Sequence, residues 1–229
     1  MNILSFGGGV NSMAVLCLAK KGKLKIDAVI FADPKAELPE TYDYIEKYAK
    51  PLCEKLNIPF YVISNGSLYD DNFKRKIIPY RLFRSCSDKF KVRPIHKFVK
   101  EFYPDSKTIL GIDFGEQRRV RSPDFLYPLI EMGIDREGCR NIIAESGYPI
   151  PVKSGCFFCP FTRFDNWKWL LKTHPDLFNK AILLEENGQG WPEYTITDKP
   201  LRKIKQAIEQ QKSMCLWIDE NESCGFCHS

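Results

Sequence analysis

"LSFGGGVNSMAVL", residues 4–16, decides the reading of this chain. An apolar run from Asn2 to Phe6 breaks into Gly7, Gly8 and Gly9, and Ser12 then stands at the head of a second apolar stretch. Glycines between a strand and a helix let main-chain N–H groups approach a ligand closely, and a helix amino terminus adds partial positive charge. The order therefore predicts a strand over 2–6, an anion-binding turn, and a helix over 11–21 closed by Gly22. The loop has neither the Gly-Lys-Ser/Thr close of a Walker A motif nor the G-x-G-x-x-G dinucleotide fingerprint. A glycine turn that holds no ligand is the alternative at this point.

Working outward, "IDAVIFAD" reads as a second strand with Asp33 at its carboxyl end, and residues 38–57 as a helix with apolar positions every three to four residues. "IPFYVIS" is a third strand, residues 94–102 a helix, and "KTILGI" a fourth strand ending at Gly111. Strand and helix in alternation predict a parallel sheet with helices on both faces, whose ligands sit beyond the carboxyl ends of the strands. After about residue 135 the strand signal fades, and helices are expected over 135–147, 163–175, up to about 186, and 200–212. Trp167 and Trp169 are expected to pack these helices. The predicted organisation is an α/β domain over 1–134, followed by a helical, cysteine-rich portion over 135–229.

The chain has 229 residues, 44% hydrophobic and 28% charged, which is ordinary for a globular protein. No apolar run reaches the roughly 18 residues of a membrane span, and no basic region precedes the first apolar stretch, so a cytoplasmic location is expected. Nine cysteines in that compartment argue against a disulfide framework. Net charge is only +5, yet ten basic residues lie between Lys74 and Lys100 against the single acid Asp88. Such a run is either a solvated face or a surface for phosphate, sulfate or nucleic-acid backbone.

The loop, with Ser5, Gly7, Gly8, Gly9, Asn11 and Ser12, resembles the modified P-loop of the adenine nucleotide α-hydrolase superfamily, which includes ATP pyrophosphatases and phosphoadenylylsulfate reductases. "ADPKAELPETYDYIEKY" is similar to a reductase segment through Asp33, Glu37, Pro39, Glu40 and Thr41, while Pro34 and Lys35 depart from its Thr-Gly. "CSDKFKVRPIHKF", with Lys91 and Arg93, resembles the family's basic segment, and the likeness continues through "GIDFGEQRR" and "SGCFFCPF". The resemblance implies a Rossmann-like core of the HUP type that binds ATP, with magnesium, or an adenylyl sulfate. Ser5, Gly7, Gly8, Gly9, Asn11, Ser12, Asp33, Glu37, Lys91, Arg93 and Gly111 would hold the nucleotide. One departure bears on the reaction. Many ATP-splitting members carry Ser-Gly-Gly-Lys-Asp-Ser, whereas Val10 and Asn11 stand here in place of Lys-Asp.

Cys156-Phe-Phe-Cys159-Pro160 has metal-ligand spacing. With Cys139, 17 residues upstream, and Cys86 in the basic segment, it resembles cysteine-rich branches of the family that ligate an iron–sulfur cluster. A 4Fe–4S cluster on Cys86, Cys139, Cys156 and Cys159 is expected, with zinc on the same thiolates or free thiols as alternatives. The tail "ESCGFCHS" resembles imperfectly the Glu-Cys-Gly-x-His end of the reductases, making Cys224 or Cys227 a nucleophile or persulfide carrier, or part of an inert tail. Glu116 and Arg119 would orient magnesium or phosphate, or simply pair on the surface. These features imply ATP-dependent sulfur transfer to an acceptor such as tRNA or DNA, supplied by a sulfur donor or reductant protein. A sulfite-releasing reductase and a non-catalytic nucleotide- or nucleic-acid-binding module are the alternatives.

Overall fold

The computed structural model describes residues 1–81, 84–120, 122–188 and 195–221, with side chains up to residue 211. Chain order begins β1 (Asn2–Phe6), α1 (Val10–Lys20), β2 (Ala28–Ala32), α2 (Pro39–Tyr44), a π turn (Ile45–Ala49), α3 (Lys50–Lys55), β3 (Phe60–Ile63) and α4 (Leu68–Arg75). It continues through α5 (Ser85–Ser87), a second π turn (Asp88–Val92), α6 (Arg93–Phe102), β4 (Lys107–Leu110), a 3-10 turn (Phe114–Arg119) and β5 (Phe125–Leu126). Then come α7 (Pro128–Glu131), α8 (Arg136–Glu145), α9 (Phe164–Thr173), α10 (Pro175–Asn187) and α11 (Leu201–Asn221). Two compact units result, residues 1–68 with 85–156, and residues 69–84 with 157–229.

The first unit holds the sheet, with order β3-β2-β1-β4-β5 and every described pairing parallel. Side chains alternate across it as a strand period of two requires. Leu4, Phe6, Val29 and Phe31 join the larger core with α1, the α2–α3 helix and α8, while Ile3, Ala28 and Ile30 meet Ile95, Phe98 and Val99 of α6 on the other face. The expected Rossmann-like α/β core is thus present, with helices on both faces. Helix α1 is buried from Val10 to Leu18, because sheet, α2–α3 and α8 enclose it. The sequence reading placed a boundary after residue 134, yet α8 packs along α1 within this first unit.

Both π turns have a local cause. Pro51 and Pro94 each lie two residues past the end of a π turn, at the second position of α3 and α6. A proline inside a helix lacks its N–H and presses on the carbonyl four residues back, and widening the preceding turn absorbs both defects. Helical backbone accordingly starts at Ser85 rather than at Pro94, as the sequence had suggested. Helix α4 and the two-residue β5 also went unforeseen, since neither is long enough to display a period.

In the second unit Trp167 of α9 packs edge-on against Phe178 of α10, their ring centroids 5.6 Å apart, and Trp169 meets His174. Glu185 of α10 accepts the main-chain N–H groups of Ile196 and Leu201, satisfying an otherwise orphaned donor at the start of α11. No helix among the described residues is long and apolar enough to cross a membrane.

Two outcomes test this core. Leu16→Ala removes a side chain with no exposed surface and is expected to cost about 2–5 kcal/mol, read as a lower urea midpoint at unchanged slope. Burial pushes the Cys53 and Cys139 thiols up to about 12 and also raises that of Cys17. Iodoacetamide at neutral pH should therefore spare all three in the native protein and label them once urea unfolds it, as peptide mass mapping would show.

Candidate functional site

The strand order reverses between β1 and β4, where the chain leaves β1 for β2 on one side and later returns to β4 on the other. Connections diverge at such a point and leave a crevice beyond the carboxyl ends of the strands. Gly7, Gly8 and Gly9 fill the turn from β1 to α1 on one side of it. Gly8 has φ +69°, and a Cβ there would lie 2.6 Å from Thr41 Cγ2. A Cβ on Gly7 would meet nothing within 4 Å, so the outer side of the loop is open. The Ser12 hydroxyl donates to Gly9 O (3.0 Å) and accepts from Gly7 N–H (3.3 Å), which folds the turn over the first turn of α1. On the far side Gly111 follows β4, and a Cβ there would stand 3.0 Å from Ser12 N.

Four charged side chains surround Asn11. Its amide donates to Asp113 Oδ2 (3.0 Å) and to Glu116 Oε2 (3.4 Å), and its carbonyl oxygen accepts from Arg136 (2.7 Å). Arg119 donates to both oxygens of Glu116 at 2.8 Å. Glu116 and Arg119 form an ion pair, and Glu116 also accepts from Asn11 at the loop. Asp113 is buried, 3% exposed, although the sequence reading named only its neighbours. Two carboxylates converging on one amide fit a divalent cation that takes its remaining ligands from phosphate oxygens and water.

A second group lies at the ends of β2 and β3. Tyr42 donates to Asp33 Oδ1 (2.7 Å), and burial together with the Asp33 charge holds that phenol far above its usual range, so it stays a donor. Lys35 takes φ +52° where the resembled pattern has glycine, and its N–H caps Asp33 Oδ1 at 2.7 Å. The Glu37 side chain is fully buried. Lys91 donates to its Oε1 at 2.5 Å, while Oε2 has no hydrogen-bond partner among the described residues. Thr41 Oγ1, beneath Gly8, is likewise buried without one. Arg93 pairs with Asp88 (2.6 Å) on an exposed face. Ser5, in register with Ile30 and Leu110, belongs with Ile3 to the sheet face that carries α6.

Cys139 is fully buried in the apolar core beneath α1, Cys86 lies in α5, and Cys156 forms an antiparallel bridge to Glu37. Among the described residues no group of three or more His, Cys, Asp or Glu side chains is arranged to hold a metal. Cys139, Cys86 and Cys156 belong to the first unit, and burial pushes the Cys139 thiol up to about 12. Cys159 belongs to the second unit. Cys224 and Cys227 lie outside the described residues.

The sequence reading named Thr41 only as a motif match, and it missed Asp113, Tyr42, Ser154 and Arg136. A Cβ on Gly9 would come within 2.6 Å of Ser154 Oγ, which places that serine at the loop. Asp113 and Ser154 sat inside quoted motifs and were open to recognition there. Arg136 carries no local signal, because only the packing of α8 on α1 brings it to Asn11.

The model of the phosphoadenosine phosphosulfate reductase domain family matches residues 1–119, slightly more than half of the chain. Two uncharacterized proteins of Methanocaldococcus jannaschii are similar in sequence. One is 24% identical, with 90% of this chain and 56% of its own length covered. The other is 26% identical, with 82% and 44% covered. The chain spans about half the length of the curated relatives it matches. Among solved structures it is similar to a phosphoadenylyl-sulfate reductase from Candida auris in a phosphate complex (18% identity, TM-score 0.48, 66% of this chain and 75% of that one). It is also similar to the U34-tRNA thiolase NcsA from Methanococcus maripaludis with its 4Fe–4S cluster (15% identity, TM-score 0.43, 91% and 71%). As the glycine loop and the Asp33–Thr41 segment implied, the chain belongs to the phosphoadenosine phosphosulfate reductase domain family, within the adenine nucleotide α-hydrolase superfamily.

Proposed function

We propose that this chain binds ATP with magnesium at the glycine loop and uses it to activate an acceptor for sulfur transfer. The observation that carries this reading is the convergence of Asp113 and Glu116 on Asn11 at the amino terminus of α1. Two carboxylates beside an anion-binding loop repel a bare phosphate or sulfate, and a divalent cation removes that repulsion. Asp113 and Glu116 would hold the magnesium, whose chemistry is to neutralise the departing pyrophosphate. The glycine amides bind the phosphate chain, and the buried, unpartnered Glu37 Oε2 and Thr41 Oγ1 are left for polar groups of the nucleoside.

The acceptor oxygen attacks the α-phosphorus, the bond from that phosphorus to the bridging oxygen breaks, and pyrophosphate leaves. Hydrosulfide from a separate sulfur donor then displaces AMP. The acceptor is a nucleic acid lying along α6. This helix exposes Arg93, His96, Lys97 and Lys100, and Lys91, just before it, reaches Glu37 at the sheet end.

The family match supports a second reading, in which a thiolate of Cys224 or Cys227 attacks the sulfur of a bound adenylyl sulfate and the adenosine phosphate leaves. A thiol of a reductant protein then attacks the resulting cysteine S-sulfonate, forming a disulfide and releasing sulfite. The products separate the two. Pyrophosphate released from ATP, stimulated by tRNA or DNA, supports adenylation, whereas sulfite from adenylyl sulfates without ATP cleavage replaces it with the reductase. Asp113→Asn should weaken magnesium-dependent ATP binding roughly tenfold, about 1.4 kcal/mol, while leaving magnesium-free binding little changed in calorimetry. Lys97→Glu with Lys100→Glu should weaken tRNA binding and flatten its salt dependence by about one unit of slope per lysine. An unchanged slope removes α6 as the acceptor surface.

A further inference from the structure

The loop of this chain brings no cation of its own, because Val10 and Asn11 stand where the ATP-splitting pattern it resembles has Lys-Asp. We propose that Arg136, at the start of α8, supplies that missing charge and binds the phosphate tail of the nucleotide. The inference rests on the reading of the glycine loop as a nucleotide site and adds a residue from a distant part of the chain.

Three observations fix the arginine in place. Asp135 caps α8 by accepting the N–H of Gly138 at 2.8 Å, and this holds the first turn, where Arg136 begins. Helix α8 packs along α1 with Cys139 and Ile143 buried between them, so the start of α8 is registered against the start of α1. One guanidinium nitrogen then donates to Asn11 Oδ1 at 2.7 Å, one residue before Ser12.

The state of the guanidinium points to a ligand. Arg119 spends its contact on both oxygens of Glu116. Among the described residues Arg136 has no carboxylate partner, and its bond to Asn11 uses one of five N–H donors. Asp113 and Glu116 face it across Asn11, and Asp135 and Glu137 flank it in sequence, without an ion pair to any of them. An exposed guanidinium oriented by a neutral amide beside the glycine loop suits phosphate, which accepts planar, charge-assisted hydrogen bonds. Asn11 matters as well. An aspartate there would neutralise the arginine, whereas the amide orients it and leaves its charge available.

Titration calorimetry of the full chain with ATP and with adenosine, both with magnesium, tests the proposal. Arg136→Ala should weaken ATP roughly tenfold or more and leave adenosine unchanged, while Arg136→Lys should recover much of the ATP affinity. Equal losses for ATP and adenosine, or a lowered urea midpoint in both variants, would assign Arg136 a structural role and overturn the inference. Unchanged ATP affinity in Arg136→Ala would overturn it too. If the unsubstituted chain binds no ATP, the nucleotide reading itself fails, which is a different result from an insensitive Arg136.

Discussion

Gly111 lies against the first turn of α1 so closely that a single added carbon would stand 3.0 Å from Ser12 N. Everything at the candidate site depends on that approach. It seats the end of β4 beside the end of β1, at the only place where neighbouring strands send their connections apart among the described pairings. It leaves open space beside Gly7, where an added Cβ would meet nothing within 4 Å. It also fixes where the segment after β4 can go, so that Asp113 and Glu116 reach Asn11.

The charges of the site are assembled from separate elements around a neutral helix start. The acids come from the turn after β4, one arginine from the same turn, and a second arginine from α8. Each is tied to Asn11 directly or through one partner. A side-chain amide suits this position because it has two donors for two carboxylates and an acceptor for a guanidinium. Substituting a carboxylate would add a third negative charge among buried or half-buried acids. The network is therefore specific to the asparagine, and it turns a departure from the resembled motif into an organising feature.

The spacing of the cysteines does not say which of them are buried. A C-x-x-C pair preceded by a helix cysteine has the pattern of a metal ligand set, but a pattern states nothing about burial. In this fold α8 turns its cysteine inward beneath α1, where desolvation favours the neutral thiol. The same helix turns Arg136 toward the loop. Arg136 and Cys139 of one helix thus sit in different surroundings because of how α8 packs on α1.

What the sequence determined by itself was the alternation of strands and helices, the glycine turn between β1 and α1, and the identity of several residues near it. Those features are local, set by side-chain period, by the bare backbone of Gly7–Gly9, and by a core pattern repeated within a few residues. The helix start expected at Pro94 differs from the observed one because a π turn absorbs a proline that would otherwise end a helix. The short β5 and α4 were invisible for lack of length. The partners of Asn11 were decided only by tertiary structure, since they stand more than a hundred residues away in the chain. Contact between such distant segments follows from how helices pack on a sheet, and no local property of either segment encodes it.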